Sequence, residues 1–304
     1  MNEIMQTEIK ERYIAATESF VNRVKGDPNI IAVIVCGSLA YDTVWEKSDI
    51  DMTLIVRDQS LHHDSYCIIE DGITINVQLF IRSTFKRSIE KMIGGSFPQS
   101  YFAKGHIVYT TDESLYEYFE EIKSMGSQDI AKSLLWLSCE LIDICHKTQK
   151  WLSVKKDPLY AQYYLLKAAD LMAKMEVCSK GEPPTREAIL KVRDSGPEWL
   201  DSLYTNAMSH HYGLVEIQEA IGWMIQCLDR HLEVMKEPIL EFMSDQEVKT
   251  VTLFVKHFQI ESHLFINILD YLADKGVIEK VSQTIRITPK SKPALEEIGF
   301  LYIS

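Results

Sequence analysis

Asp49-Ile50-Asp51 places two carboxylates two residues apart, and ten residues separate Asp49 from the pair Gly37-Ser38. Carboxylates held side by side repel each other unless a cation shares them. An all-oxygen donor set suits Mg²⁺, which is commonly held by one or two carboxylates and fills its shell with water and phosphate. A Gly-Ser turn lets backbone N–H groups approach a phosphate closely. The residue types therefore point to metal-assisted work on a nucleotide.

Those side chains need strands to hold them. Ile30 to Cys36 and Asp49 to Val56 are short, rich in Val and Ile, and bounded by turn residues, so both read as strands. Gly37-Ser38 closes the first. Period-two alternation puts Asp49 and Asp51 on one face of the second. Ahead of them, Ile9, Tyr13, Ala16, Phe20 and Val24 recur at three- and four-residue steps, which predicts a helix from Gln6 to Lys25 ended by Gly26-Asp27-Pro28.

Gly37-Ser38, the ten-residue spacer and Asp49-Ile50-Asp51 resemble the GS…DxD signature of the nucleotidyltransferase superfamily, most nearly the transferases that adenylylate aminoglycosides and lincosamides. The resemblance implies an α+β fold: a small mixed sheet carrying the site, then an α-helical bundle on the acceptor side of the cleft. It implies that Gly37 and Ser38 face a triphosphate and that Asp49 and Asp51 hold the nucleotide's Mg²⁺. It also implies a third carboxylate in the middle of a later strand. The matching position, in Ile73 to Phe80, is Asn76, whose amide carbonyl can reach a cation but brings no charge. Glu70, at the Glu70-Asp71-Gly72 turn of the hairpin formed with Cys67 to Ile69, is the poorer placed alternative.

Ser83 to Ile93 reads as a helix ending at Gly94-Gly95, and His106 to Thr110 as a short strand. Gly94 to Ser96 lacks the GK[ST] of a phosphate loop and reads as a helix terminator. Lys104 is either a phosphate contact or a solvated loop lysine. Asp112 is placed to cap a helix starting near Glu113.

From Asp129 to Leu240 amphipathic helical patterns take over, near 129–152, 157–180, 185–193, 196–208 and 212–236. In the first of these, Glu140 and Asp143 share a face of an otherwise apolar helix. They either pair with Lys147 and its neighbours, or line the cleft, where Glu140 would take the proton from an acceptor hydroxyl. Trp136, Tyr160, Tyr163 and Tyr164 either stack on a substrate ring or pack the core. In the resembling transferases such a bundle can act across a dimer, so a homodimer is compatible with this reading.

Beyond Glu237-Pro238, helices at 245–257 and 261–273, a hairpin within 277–287 and a short helix at 293–298 resemble a winged helix-turn-helix. The second helix is acidic, which argues against DNA binding and for packing, dimerisation or a lid. The expected domains are 1–125 (nucleotidyltransferase), 126–240 (helical bundle) and 241–304 (winged-helix-like).

The chain has 304 residues, 46% of them hydrophobic and 25% charged, an ordinary globular composition. The net charge of −12 disfavours a general nucleic-acid binder and fits a cationic small substrate. Six scattered cysteines form no CxxC, and the nine histidines form no HExxH, so neither a disulfide framework nor a zinc site is expected. No apolar run is long enough to cross a membrane, and the charged N-terminus lacks the apolar core of a signal peptide, so a cytoplasmic location is expected. The resemblance implies transfer of a nucleoside monophosphate, AMP from ATP, to a hydroxyl of a small-molecule acceptor. Nucleotide binding without transfer and modification of a protein partner are the rival readings.

Overall fold

The computed structural model describes residues 3–41, 44–85, 87, 102, 104–122 and 125–303. The helix expected at 83–93 and the Gly94 to Ser96 turn lie largely outside them. The chain forms two compact units, Met1–Met125 and Gly126–Ser304.

The first unit is α+β. After helix α1 (Glu3–Val24) come β1 (Ile30–Cys36), the one-turn helix α2 (Gly37–Ala40), β2 (Ile50–Val56), β3 (Ser65–Glu70), β4 (Ile73–Ile81), β5 (His106–Thr110) and α3 (Ser114–Ile122). The five strands form one mixed sheet in the order β3-β4-β2-β1-β5. Only β2 and β4 run parallel; the other neighbours are antiparallel. The sheet buries both faces, which is why β1 and β2 read as continuous apolar runs and not as alternating ones. One face packs Val33, Val35, Met52, Leu54, Ile75 and Val77 against Ile9, Tyr13, Ala16 and Phe20 of α1. The other gathers Ile34, Cys36, Ile55, Phe80, Phe85 and Phe102 with Leu115 and Phe119 of α3. Asp112 caps α3 as expected: its Oδ1 accepts from the Ser114 backbone N–H at 3.1 Å.

The second unit begins with two long helices, α4 (Ser127–Ser153) and α5 (Pro158–Ser179). Asp157 caps α5, its Oδ1 accepting from the Tyr160 N–H at 2.9 Å, and Pro158 occupies the first turn, where its missing N–H is harmless. Helix α6 (Ala188–Arg193) follows. The helix expected at 196–208 is present as 198–209 with a π-helical turn at Asp201–Thr205 in its middle. Helices α8 (Leu214–Met235) and α9 (Glu237–Phe242) complete the set, with 198–209 counted as α7. Residues 241–304, expected as a separate domain, lie in the same unit. There Tyr271 Oη and Lys275 Nζ both reach Asp229 of α8, at 2.5 Å each.

The C-terminal elements are β6 (Lys249–Thr250), α10 (Val251–Phe258), α11 (Ser262–Asp274), β7 (Glu279–Ile285) and β8 (Leu295–Leu301). Two expectations are corrected. The helix predicted at 293–298 is strand β8, and β7 pairs with β8 across a loop at 286–294, in place of a hairpin closed within 277–287. Fully buried Phe300 anchors β8 between β6 and β7. None of the six cysteines is in a disulfide, and of the six only Cys67 is exposed. Among the described residues, no helix is long and apolar enough to cross a membrane.

Candidate nucleotide site

Three neighbouring strands bring the predicted residues together. In the β1–β2 ladder Cys36 lies opposite Asp51, so Gly37 follows directly beside that carboxylate. In the parallel β2–β4 ladder Asp51 lies beside Asn76. Asn76 Nδ2 in turn donates to Asp49 Oδ2. Asp49, Asp51 and Asn76 are each half-buried.

Gly37 is required twice. Its φ is +63°, in the left-handed region that favours glycine. A Cβ there would also lie 2.9 Å from Asp51 Cγ, and closer still to Oδ2. The missing side chain is thus the space that the Asp51 carboxylate fills. Ser38 follows in α2, whose C-terminal end is Tyr41. Lys104 holds its Nζ 4.6 Å from the Tyr41 ring centroid, a cation–π contact that brings this exposed lysine to the end of α2.

The loop leading into Asp49 is held by α1, which sequence reasoning missed. Tyr13 Oη donates to the Ser48 carbonyl at 2.6 Å, Gln6 Nε2 donates to the Val44 carbonyl, and Trp45 N–H donates to Ser48 Oγ at 3.1 Å. Burial pushes the Tyr13 phenol above its usual range; Arg12 opposes this and the Asp49 charge adds to it. No local pattern marks Tyr13 or Gln6, because their partners lie 35 and 38 residues away.

Glu70 is engaged elsewhere. It is buried, accepts from Ser19 Oγ at 2.6 Å and pairs with Arg23 at 2.7 Å, so it ties the β3–β4 hairpin to α1. Among the described residues, no group of three or more His, Cys, Asp and Glu side chains could hold a metal. What the site offers is two carboxylates and an amide, with Gly37 leaving room for one of the carboxylates. Carboxylate and amide oxygens are donor types that Mg²⁺ accepts.

Glu140 belongs to the second unit. Asp143 pairs with Lys147 at 2.6 Å and Asp170 with Lys174 at 2.7 Å, as the pairing alternative foresaw for Lys147. Glu140 itself makes no ion pair or hydrogen bond among the described residues. Burial raises its pKa most; the charge of Lys174 lowers it, and those of Asp170 and Asp143 raise it further. Of the four aromatics singled out, Tyr160, Tyr163 and Tyr164 do cluster, but with Trp151 in place of Trp136.

The protein has the fold of a nucleotidyltransferase-like protein. The crystal structure so described, from Exiguobacterium sibiricum 255-15, superposes with a TM-score of 0.63 over 95% of this chain and 99% of that one, at 14% identity. A spectinomycin adenyltransferase AAD(9) from Enterococcus faecialis, crystallised with ATP and spectinomycin, matches over 72% of this chain and 99% of that one at 12% identity, with a TM-score of 0.35. No family model and no curated protein matches the sequence.

Proposed function

We propose that the chain is a nucleotidyltransferase that moves a nucleoside monophosphate, AMP from ATP, to a hydroxyl of a small-molecule acceptor. The observation that carries this reading is the packing of Gly37 against the Asp51 carboxylate, with Asp49 tied to Asn76 on the adjoining strand. The fold likeness supports it. Asp49 and Asp51 would hold Mg²⁺, with Asn76 beside them, and the ion supplies charge neutralisation for the phosphates when bound. Gly37 and Ser38 line the approach of the triphosphate, and Lys104 adds a positive charge near the end of α2. The acceptor oxygen forms the new bond to the α-phosphorus, the α–β bridging P–O bond breaks, and pyrophosphate leaves. The hydroxyl proton passes to a carboxylate, the role that the sequence reading gives Glu140.

One observation favours a second reading, nucleotide binding without transfer. At the third-acid position Asn76 turns its NH₂ toward Asp49, which supplies a hydrogen bond where a second metal would need a negative charge. Pyrophosphate release from ATP and Mg²⁺, measured against a panel of hydroxyl-bearing aminocyclitols, lincosamides and a whole lysate, separates the two. Release that needs an acceptor and disappears in Asp51→Asn supports transfer. Magnesium-dependent binding with no release under any acceptor supports the second reading.

A further inference from the structure

The turn between α4 and α5 carries a charge opposite to that of the whole chain. From His146 to Lys167 there are Lys147, Lys150, Lys155, Lys156 and Lys167 against Asp157 alone, in a protein of net charge −12. Asp157 is spent on capping α5, and Lys147 is neutralised by Asp143. Lys150, Lys155 and Lys156 are exposed and make no ion pair among the described residues. Lys150 lies in the last turn of α4, and Lys155 and Lys156 sit on the tied turn after it: Lys155 N–H and Asp157 N–H donate to the Lys150 and Trp151 carbonyls at 3.0 Å each, and Lys156 takes the left-handed conformation.

Aromatic rings cluster where α4 ends and α5 begins. Trp151 and Tyr160 lie 4.2 Å apart between centroids, and Tyr160 is 5.7 Å from both Tyr163 and Tyr164. Lys167 sits 4.8 Å from the Tyr163 ring. Tyr160 is 42% exposed and Tyr163 47%, so both rings reach solvent, although Trp151 lies against Tyr160 and Lys167 lies over the Tyr163 ring. Tyr160 and Tyr163 border a cavity of about 540 Å³ whose floor includes Gln162. That amide is engaged at both ends: Nε2 donates to the His210 carbonyl at 2.6 Å, and Oε1 accepts from the Tyr212 N–H at 2.9 Å.

We propose that the α4–α5 end of the second unit is a binding surface for single-stranded nucleic acid. Lys150, Lys155 and Lys156 take successive phosphates, and bases stack on Tyr160 and Tyr163. Every base has a π-face, and Gln162 is already committed, so the surface reads stacking and backbone charge in preference to sequence. A rigid turn and preformed aromatic cluster lower the ordering cost of binding. The acidic whole-chain charge, which argues against a general nucleic-acid binder, averages over this local reversal. The proposal is independent of the nucleotide site in the first unit.

The test is fluorescence anisotropy of the full chain with labelled single strands of about 12 nucleotides, RNA in one arm and DNA in the other. Saturable binding in either arm is expected, weakening about twentyfold between about 50 and about 200 mM salt if three phosphates are contacted. Tyr160→Ala and Tyr163→Ala should each weaken it by about tenfold. The double variant Lys155→Glu/Lys156→Glu, on an exposed turn where folding is not at risk, should abolish it, with the melting temperature checked for each variant. No binding in either arm overturns the proposal, as does binding untouched by these substitutions. Charged aromatic surfaces also attract lipid headgroups. Co-sedimentation with phosphatidylserine-containing vesicles, without single-strand binding, would assign the surface to a membrane and overturn the nucleic-acid reading.

Discussion

Replacing Gly37 by alanine probes the site at its tightest contact, and Gly72 supplies the control. Both have positive φ, +63° and +77°. An alanine at either position carries the same backbone penalty, roughly 1–2 kcal/mol. Their surroundings differ. At Gly72 an added Cβ meets nothing within 4 Å, whereas at Gly37 it lies 2.9 Å from Asp51 Cγ and 3.1 Å from Asp51 Cβ, with Oδ2 nearer still. The Asp51 carboxylate must rotate out of the space it fills. Gly72→Ala should therefore lower the melting temperature by several degrees and leave nucleotide binding intact. Gly37→Ala should lower it at least as much and also lose Mg²⁺-dependent ATP binding, read by calorimetry at a temperature where both variants are folded. Gly37→Ala protein that binds Mg–ATP like the parent would refute the reasoning. Equal loss of binding in both variants would show that backbone strain alone was responsible.

Asn76→Asp removes the donation to Asp49 and sets a third carboxylate beside two others, so its melting temperature should fall in chelator and recover in excess Mg²⁺; an equal change in both conditions would deny that these groups share an ion. Tyr13→Phe deletes only the bond to the Ser48 carbonyl, a loss of about 1 kcal/mol. If that loop positions Asp49, nucleotide affinity should fall by more than the stability change explains. His231 is buried and its pKa is lowered by burial, with Arg230 adding to the effect and Glu176 opposing it. Its contribution is present above the unfolded histidine value near about 6.5 and is lost as pH falls below that, so His231→Gln should flatten the loss of stability under mild acid. Glu140 runs the other way: its pKa is raised, so its contribution is present at low pH and is lost as pH rises through the raised value. Glu140→Gln should raise the melting temperature at neutral pH while lowering transfer, and a variant that changes neither would remove Glu140 from both roles.

Much of the first unit was legible in the chain because local pattern and tertiary environment agree there. His106 to Thr110 is a strand with the expected ends, and Asn76, the position that the resemblance implied, lies beside Asp51 in the β2–β4 ladder. The requirement for glycine at position 37 was visible, but its cause was not, because the contact with Asp51 arises only when β1 and β2 pair. The direction of the Asn76 amide was likewise invisible. The chemistry of an amide allows either end to face a cation, and only the neighbouring Asp49 carboxylate selects the NH₂. At the C-terminus, Leu295-Glu296-Glu297-Ile298 reads as a helical turn, yet Glu296 and Glu297 lie in a strand. Glu297 Oε1 accepts from the Thr252 N–H at 3.0 Å, Glu296 bonds Thr284 at 2.7 Å, and Phe300 is fully buried. Tertiary pairing there overrides propensity. Trp151 was passed over in favour of Trp136 because helical spacing within α4 cannot show which tryptophan meets the first turn of α5.

The most direct test of the central claim is calorimetric titration of ATP into the wild-type chain and into Asp51→Asn, each with and without Mg²⁺. Wild-type protein should bind ATP only with the metal, and Asp51→Asn should bind in neither condition while melting close to the parent temperature. Metal-dependent binding of equal strength in Asp51→Asn would contradict the assignment of Gly37, Asp49, Asp51 and Asn76 as the nucleotide site.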